Sequence, residues 1–167
     1  MSILGITGGT GSGKTTLLNC AKAMGITVID CDAVYHDLLA NNAQMLAEIK
    51  SHFPAAFSSG TFDRKALGKI VFADSDKLAK LNTITHRYVL CEVERILQKS
   101  THAAIDAIGL FESGLDKLCD TTVAVTAPME LRIKRLVSVT PFPKNTPDLA
   151  SKRKNPKKNI LLLHITP

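Results

Sequence analysis

The stretch that decides the fold is Gly8-Gly9-Thr10-Gly11-Ser12-Gly13-Lys14-Thr15, which lies between a short apolar run at residues 3–6 and a segment of helical character. Its spacing is G-x-x-x-x-G-K-[ST]. The glycines let the backbone curl so that successive N–H groups point at one anion, and the helix that follows adds the positive end of its dipole. In such loops the lysine reaches the β- and γ-phosphates and the hydroxyl ligates Mg²⁺. The stretch therefore predicts a nucleoside-triphosphate site.

The predicted nucleotide-binding residues are Gly8, Gly9, Thr10, Gly11, Ser12, Gly13, Lys14, Thr15 and Thr16, with ATP as ligand. The alternative is a glycine-rich turn that contains a lysine by chance, and the strand before and helix after the motif disfavour it. The motif does not identify the acceptor of the phosphate. A GTPase would need a base-reading N/T-K-x-D segment, and the sequence contains none.

Apolar runs and helix signals alternate along the chain. Strands are predicted at residues 3–6, 26–29, 103–108 and 121–126, and helices at 14–23, 34–50 with a break near 41–42, 64–72, 75–99 and 128–137. Alternation of strand and helix predicts a parallel sheet with right-handed crossovers. The expected fold is therefore a three-layer α/β fold of the P-loop NTPase type, similar to that of nucleoside monophosphate kinases.

Charge is distributed unevenly. The chain has 21 Lys/Arg and 15 Asp/Glu, a net +6, but residues 1–138 hold 15 and 14 of these (+1), and residues 139–167 hold 6 and 1 (+5). The excess belongs to the end of the chain, so it does not indicate a specific nucleic-acid partner. We predict a kinase domain at 1–138 and a basic, proline-containing, disordered tail at 139–167.

The sequence shows neither a basic leader nor an apolar run long enough to span a membrane. The cysteines, Cys20, Cys31, Cys91 and Cys119, are far apart and form no metal-binding pair. Both observations predict a cytoplasmic protein with reduced thiols and no membrane partner. The oligomeric state is not indicated.

Two carboxylates follow the second predicted strand, Asp30 and Asp32. The carboxyl ends of parallel strands face the ligand crevice in folds of this class. A carboxylate in that position can orient an acceptor hydroxyl and take its proton. Either residue could instead cap the helix that follows.

Five segments together resemble the dephospho-CoA kinase family. They read G-I-T-G-G-T-G-S-G-K-T-T, V-I-D-C-D, F-D-R-K-A-L-G-K-I-V-F, I-T-H and A-I-D-A-I-G-L-F-E-S-G-L-D, and the resemblance covers roughly residues 1–137. It implies transfer of the ATP γ-phosphate to the ribose 3′-hydroxyl of dephospho-CoA, the last step of coenzyme A synthesis. Two departures are local: Arg87 follows the histidine where the family usually has proline, and Ile108-Gly109 stand where it often has proline.

The resemblance also implies roles for individual residues. Asp32 falls on the family's proposed base, and Lys14 serves catalysis at the phosphates. Asp106 would hold Mg²⁺ through water, as the partner of Thr15. Residues expected near the acceptor are Asp30, Asp32, Arg64, His86, Phe111 and Glu112. For His86 and Arg64 the alternative is a solvated helix face, and for Phe111 it is core packing.

The resemblance ends after Arg135-Leu136. There the family continues roughly as R-D-x-I-S-x-E-x-A-R-x-R-I-x-A-Q, a lid whose arginines close over the ATP phosphates. This chain instead reads V-S-V-T-P-F-P-K-N-T-P-D-L-A-S-K-R-K-N-P-K-K. The lid and the last strand are therefore expected to be missing or altered, which would leave an exposed sheet edge.

Codon degeneracy suggests the origin of the change. Insertion of one C before the codon of Val139 permits R-D-S-I-S-K-E-Y for residues 139–146 and A-R-S-R-I-K-A-Q-K-P-E-E for residues 147–158. The family's lid reappears without conflict. We interpret the residues from about Val139 onward as the product of a one-nucleotide deletion in the gene or its sequencing; the alternative is a divergent natural tail.

Three functions follow from the sequence. The first is an ATP-dependent dephospho-CoA kinase, impaired by loss of the lid. The second is a nucleotide-binding remnant without catalysis. The third is a P-loop kinase that acts on another small hydroxyl acceptor.

Overall fold

The computed structural model of the chain describes residues 1–58, 60–139 and 160–164, with side chains up to residue 137. Its strands are β1 (Ser2–Thr7), β2 (Thr27–Asp30), β3 (His102–Asp106), β4 (Thr121–Thr126) and β5 (Ile160–His164). Its α-helices are α1 (Lys14–Ala23), α2 (Cys31–Asn41), α3 (Ala43–His52), α4 (Arg64–Phe72), α5 (Ser75–Leu97) and α6 (Met129–Val139). Short 3₁₀ helices span Pro54–Phe57 and Leu115–Leu118.

The strands form one sheet in the order β2-β3-β1-β4-β5. Strand β1 pairs in parallel with both β3 and β4. Consecutive strands in the chain are separated by helices, because a parallel neighbour can be reached only by a crossover. The predicted α/β fold with a parallel sheet is confirmed.

The last strand, expected to be missing or altered, is formed at the edge of the sheet by residues of the tail. Residues Ile160–His164 pair in parallel with β4, from Thr122 opposite Ile160 to Thr126 opposite His164. An apolar run of this length has the residue types of a buried parallel strand, and an unpaired edge of β4 offers it a row of N–H and C=O groups. Residues 140–159 and 165–167 lie outside the described residues, and the disordered tail at 139–167 stays a prediction.

The chain divides into two compact units. One comprises Met1–Ile29 and the chain from Ser100 onward, and it contains the sheet core. In its centre the fully buried Ile6 lies in a cluster with Ala104, Val123 and Val125, one or two from each of three adjacent strands. The apolar side chains of β1, β3 and β4 in this cluster together bury a continuous surface. This burial stabilises the end of β1, where the glycine-rich stretch begins.

The other unit is helical and spans Asp30–Lys99. Its helices α2, α3, α4 and α5 begin after the capping residues Asp30, Asn42, Asp63 and Asp74, whose side chains accept backbone N–H groups of the first turn. The predicted cap Asp63 and the predicted break near residues 41–42 are both confirmed. Helix α5 carries the buried face of the unit, with Leu81, Ile84, Val89 and Val93 at helical spacing.

Among the residues the structure describes, no helix combines the length and the apolar character needed to cross a membrane.

Truncation of Ile6 should destabilise the sheet unit strongly. Ile6→Ala removes a side chain that is 0% exposed, and we expect a loss of about 2–5 kcal/mol in the free energy of unfolding, measured by urea denaturation. The matched control is Ile133→Ala on α6, where the side chain is 52% exposed and the loss should be small. Equal losses for the two variants would contradict the position of the core.

Candidate functional site

The loop after β1 has a shape that side chains would obstruct. Gly8 has φ 148°, and a Cβ there would collide with the carbonyl oxygen of Val125 on β4. Gly11 has φ 77° and lies in a turn in which the Ser12 N–H donates to the Gly9 carbonyl at 3.1 Å. Both positions require glycine, the first because of space and φ and the second mainly because of φ. The predicted phosphate loop is thus folded as a loop with tight turns at the end of a buried strand.

The side chain of Lys14 folds back onto the first residue of this loop. Its Nζ donates to the carbonyl oxygen of Gly8 at 2.7 Å, so the ammonium is held beside the loop backbone. The side chain is only half-buried. An ammonium in this position can turn from the carbonyl to a bound phosphate, because it has three donors on a flexible stem.

The start of α1 differs from the starts of the four helices of the other unit. Helix α1 begins after Gly13 with no side-chain cap, and its first turn holds no acidic residue. Beside it, Ser12 is 1% exposed and its Oγ has no hydrogen-bond partner among the described residues. Uncapped N–H groups and a buried hydroxyl without a partner are groups that a phosphate would satisfy. The residues present fit a nucleotide phosphate.

Asp106 ends β3 directly beside β1, in register with Ile6. The segment that follows is tied to β1, since Ala107 N–H donates to the Ile6 carbonyl and Thr7 Oγ1 donates to the Ile108 carbonyl, both at 3.1 Å. The predicted position of Asp106 at the end of the third strand is confirmed. Its carboxylate and the loop therefore emerge from neighbouring strands at the same edge of the sheet.

The donor set suits magnesium better than a metal that needs a protein cage. No group of three or more His, Cys, Asp or Glu side chains that could hold a metal occurs among the described side chains. Magnesium is commonly bound by one or two protein oxygens, the remaining ligands being water and substrate phosphate. An exposed Thr15 in the first turn of α1 and the carboxylate of Asp106 are oxygen donors of that kind.

Two arginines of α6 contact the loop, and the sequence interpretation missed them. Arg132 Nε donates to the Thr10 carbonyl and Arg135 Nη1 donates to the Gly11 carbonyl, each at 3.1 Å. They lie three residues apart, so both project from one helix face. The only signal in the sequence was the pair of arginines at a spacing of three residues in the helix after β4. Such pairs usually lie on a solvated helix surface, so the signal was not specific.

In the helical unit, the two predicted acids have different surroundings. Asp30 caps α2, since its Oδ1 accepts the N–H groups of Asp32 and Ala33, each at 3.0 Å. The capping alternative is therefore confirmed for Asp30. Asp32 lies in the first turn of α2 with its side chain exposed, where it is available to a ligand.

Other predicted acceptor residues lie on α4, on α5 and after β3. Arg64 is exposed at the first residue of α4, and His86 is half-buried in the middle of α5. Phe111 and Glu112 lie in the turns after β3, where Ser113 N–H donates to Gly109 at 3.0 Å. Phe111 is half-buried and not part of the fully buried core. Arg64 and Glu112 are exposed, and the binding roles of all four residues stay predictions.

Tyr35 is a further residue that the sequence interpretation missed. It lies on α2, and burial raises the pKa of its phenol above the ordinary value, while the positive charge of Arg64 acts in the opposite direction. A raised pKa keeps the phenol protonated at neutral pH, where it can donate a hydrogen bond.

A parallel α/β sheet whose first strand ends in a phosphate loop and an uncapped helix defines the class of P-loop kinase-type proteins. The family model described as dephospho-CoA kinase matches residues 2–145, which extends a little past the end of the resemblance at residue 137. The chain belongs to the dephospho-CoA kinase family, a family of transferases whose reaction completes coenzyme A synthesis.

Relatives of known sequence agree with this assignment. A dephospho-CoA kinase of Deinococcus radiodurans is 36% identical over 140 residues, 81% of this chain and 67% of the relative. That of Bacillus licheniformis is 34% identical over 146 residues, 81% of this chain and 71% of the relative. That of Pseudoalteromonas translucida is 33% identical over 139 residues, and the match covers 66% of its length.

Solved structures share the fold. The structure of TT1252 from Thermus thermophilus has a TM-score of 0.72 and 31% identity, covering 85% of this chain and 74% of that chain. The dephospho-CoA kinase from Campylobacter jejuni has a TM-score of 0.56 and 29% identity, covering 81% and 71%.

Substitution of Gly8 should abolish tight nucleotide binding. Gly8→Ala places a methyl group against the Val125 carbonyl, so the loop must move and we expect at least a tenfold weaker affinity for ATP, about 1.4 kcal/mol, by titration calorimetry. Gly25→Ala is the control, because Gly25 also has a positive φ, 76°, but a Cβ there meets nothing within 4 Å. If binding weakened equally in both variants, backbone strain at a positive φ would explain the loss, and the lack of space beside Gly8 would not.

Proposed function

We propose that this chain transfers the γ-phosphate of ATP to the ribose 3′-hydroxyl of dephospho-CoA. The observation that carries the proposal is the loop from Gly8 to Thr15. In the described part of the chain, the buried Ser12 hydroxyl has no hydrogen-bond partner and no side chain caps α1. Membership of the dephospho-CoA kinase family supports the choice of acceptor. We further propose a cytoplasmic location, with ATP and dephospho-CoA as the small-molecule partners and no specific nucleic acid.

The loop residues hold the triphosphate in this proposal. The N–H groups from Gly9 to Thr16 surround the phosphate oxygens, and the ammonium of Lys14 moves from the Gly8 carbonyl to the β- and γ-phosphates. Binding of this kind is electrostatic positioning, which supplies most of the rate in phosphoryl transfer.

Thr15 and Asp106 are proposed to hold Mg²⁺, Thr15 through its hydroxyl and Asp106 through water. The ion, when bound, neutralises charge that develops on the phosphate oxygens. The role of this chain's residues is to present two oxygen donors from α1 and the end of β3.

Asp32 is the proposed base. Its carboxylate accepts the proton of the 3′-hydroxyl as that oxygen bonds to the γ-phosphorus and the bond from the γ-phosphorus to the ADP oxygen breaks. The exposed position of Asp32 supports this role, because the acceptor must reach it. Asp30 orients it, since its cap fixes the first turn of α2.

The proposed acceptor-binding residues besides these two are Arg64, His86, Phe111 and Glu112. An exposed arginine at the start of α4 suits the phosphates of dephospho-CoA. The half-buried Phe111 offers an apolar face, and the half-buried His86 offers an imidazole ring. These assignments follow the family pattern at each position.

Substitution of Asp32 should lower turnover without loss of stability. Asp32→Asn keeps the size of the side chain but removes the proton acceptor, so we expect kcat to fall on the order of 10²- to 10⁴-fold. The control is Asp76→Asn, because Asp76 follows the capping residue Asp74 on α5 just as Asp32 follows Asp30 on α2. Both variants lose one charge beside a helix N-terminus, so similar thermal midpoints with different kcat values are expected. An unchanged kcat in Asp32→Asn would contradict the proposed base.

A nucleotide-binding remnant without catalysis is the second candidate, favoured by the departure from the family's lid after Leu136. Arginines that close over transferring phosphates contribute factors of about 10³–10⁵ in rate in related systems. In this candidate the chain binds ATP but, for that reason, does not transfer its phosphate.

Restoration of the lid should raise activity. Replacement of residues 139–158 by R-D-S-I-S-K-E-Y-A-R-S-R-I-K-A-Q-K-P-E-E should increase kcat by about 10³-fold or more, while ATP affinity changes less. Coupled ADP release measures turnover with dephospho-CoA, and adenosine and gluconate are the control acceptors. Activity with gluconate instead would identify a kinase for another acceptor. Inactivity of the restored protein on all three would contradict the proposed function.

A further inference from the structure

The turn at the tip of the phosphate loop has a defined type. The Gly9 carbonyl accepts the Ser12 N–H at 3.1 Å, and Gly11, the third of the four residues, has φ 77°. A positive φ at that position is the mark of a type II turn. Type I and type II turns differ in the orientation of the central peptide, which here joins Thr10 to Gly11. Rotation of that peptide would exchange the direction of a carbonyl oxygen with that of an N–H group.

The orientation matters because the loop binds an anion. In a trans peptide the C=O and N–H groups point in opposite directions. When the Thr10 carbonyl faces away from the phosphate site, the Gly11 N–H faces toward it. In the opposite orientation a carbonyl oxygen would face the phosphate and repel it.

Arg132 contacts this central peptide. Its Nε donates to the Thr10 carbonyl at 3.1 Å, and Arg135 donates to the next carbonyl, that of Gly11, also at 3.1 Å. Helix α6 approaches the loop closely, since a Cβ on Gly11 would lie 3.0 Å from the Arg132 carbonyl oxygen. Charged donors of α6 thus bind the carbonyl oxygens of two successive residues of the loop.

We propose that Arg132 is a positioning residue that holds the central peptide of this turn in the orientation that presents the Gly11 N–H to the triphosphate. Arg135 supports the same face of the loop from one turn further along α6. The inference rests on the proposed function, because it assumes that the loop binds phosphate. It assigns α6 a role in nucleotide affinity that the family motifs do not include.

The test uses inorganic tripolyphosphate, which has no base or ribose, beside ATP. Arg132→Ala should weaken both ligands by the same factor, on the order of tenfold for the loss of one charge-assisted hydrogen bond, and the KM for dephospho-CoA should not change. The affinities of Arg132→Lys for both ligands should lie between those of Arg132→Ala and those of the native chain. Lys134→Ala is the control, since it removes an exposed cation from the same helix.

Amide NMR separates positioning from direct contact with phosphate. Tripolyphosphate should shift the Gly11 amide resonance strongly in the native chain and weakly in Arg132→Ala, with unchanged thermal midpoints. A Gly11 shift that persists in Arg132→Ala, an unchanged affinity in that variant, or a larger loss for ATP than for tripolyphosphate would overturn the inference. If the native chain bound neither ATP nor tripolyphosphate, the proposed function would be overturned as well. Results from the variants alone would overturn only the role of Arg132.

Discussion

The structure depends on one steric constraint, the close approach of the chain after β1 to the end of β4. Gly8 leaves no room for a Cβ against the Val125 carbonyl, so the chain must turn sharply there. The buried Ile6 holds β1 in the centre of the sheet, with β3 on one side and β4 on the other. A rigid strand before a sharp turn places the loop amides and the start of α1 at one point of the sheet edge.

The N-terminal caps distinguish four structural helices from helix α1, at whose start a ligand is proposed to bind. Four helices in the unit from Asp30 to Lys99 have Asp or Asn caps that satisfy their first N–H groups. Among the residues that the structure describes, helix α1 has no such cap, and the buried hydroxyl of Ser12 beside it has no hydrogen-bond partner. Unsatisfied donors cost free energy unless a ligand completes them. The chain thus carries a local cost at the place where the nucleotide phosphate is proposed to bind.

Most of the fold could be predicted because its signals are local. The strand at residues 3–6, the Asp63 cap and the break near Asn42 depend on residues a few positions apart, and all three are found. Strand β5 could not be predicted, because Ile160–His164 has no partner signal in its own neighbourhood and pairs with a strand almost 40 residues away. The role of Asp30 was ambiguous for a similar reason, since a carboxylate after a strand suits both a cap and a ligand.

The sequence by itself determined the phosphate loop, its lysine, the alternation of strands and helices and the family, because glycine, lysine and apolar residues at fixed offsets have few other physical uses. Only the tertiary structure decided which distant residues touch that loop. Arg132 and Arg135 bind carbonyls 122 and 124 residues earlier in the chain. Such contacts depend on how α6 packs against the loop, and packing is set by the shape of the surfaces in contact, which no local pattern encodes.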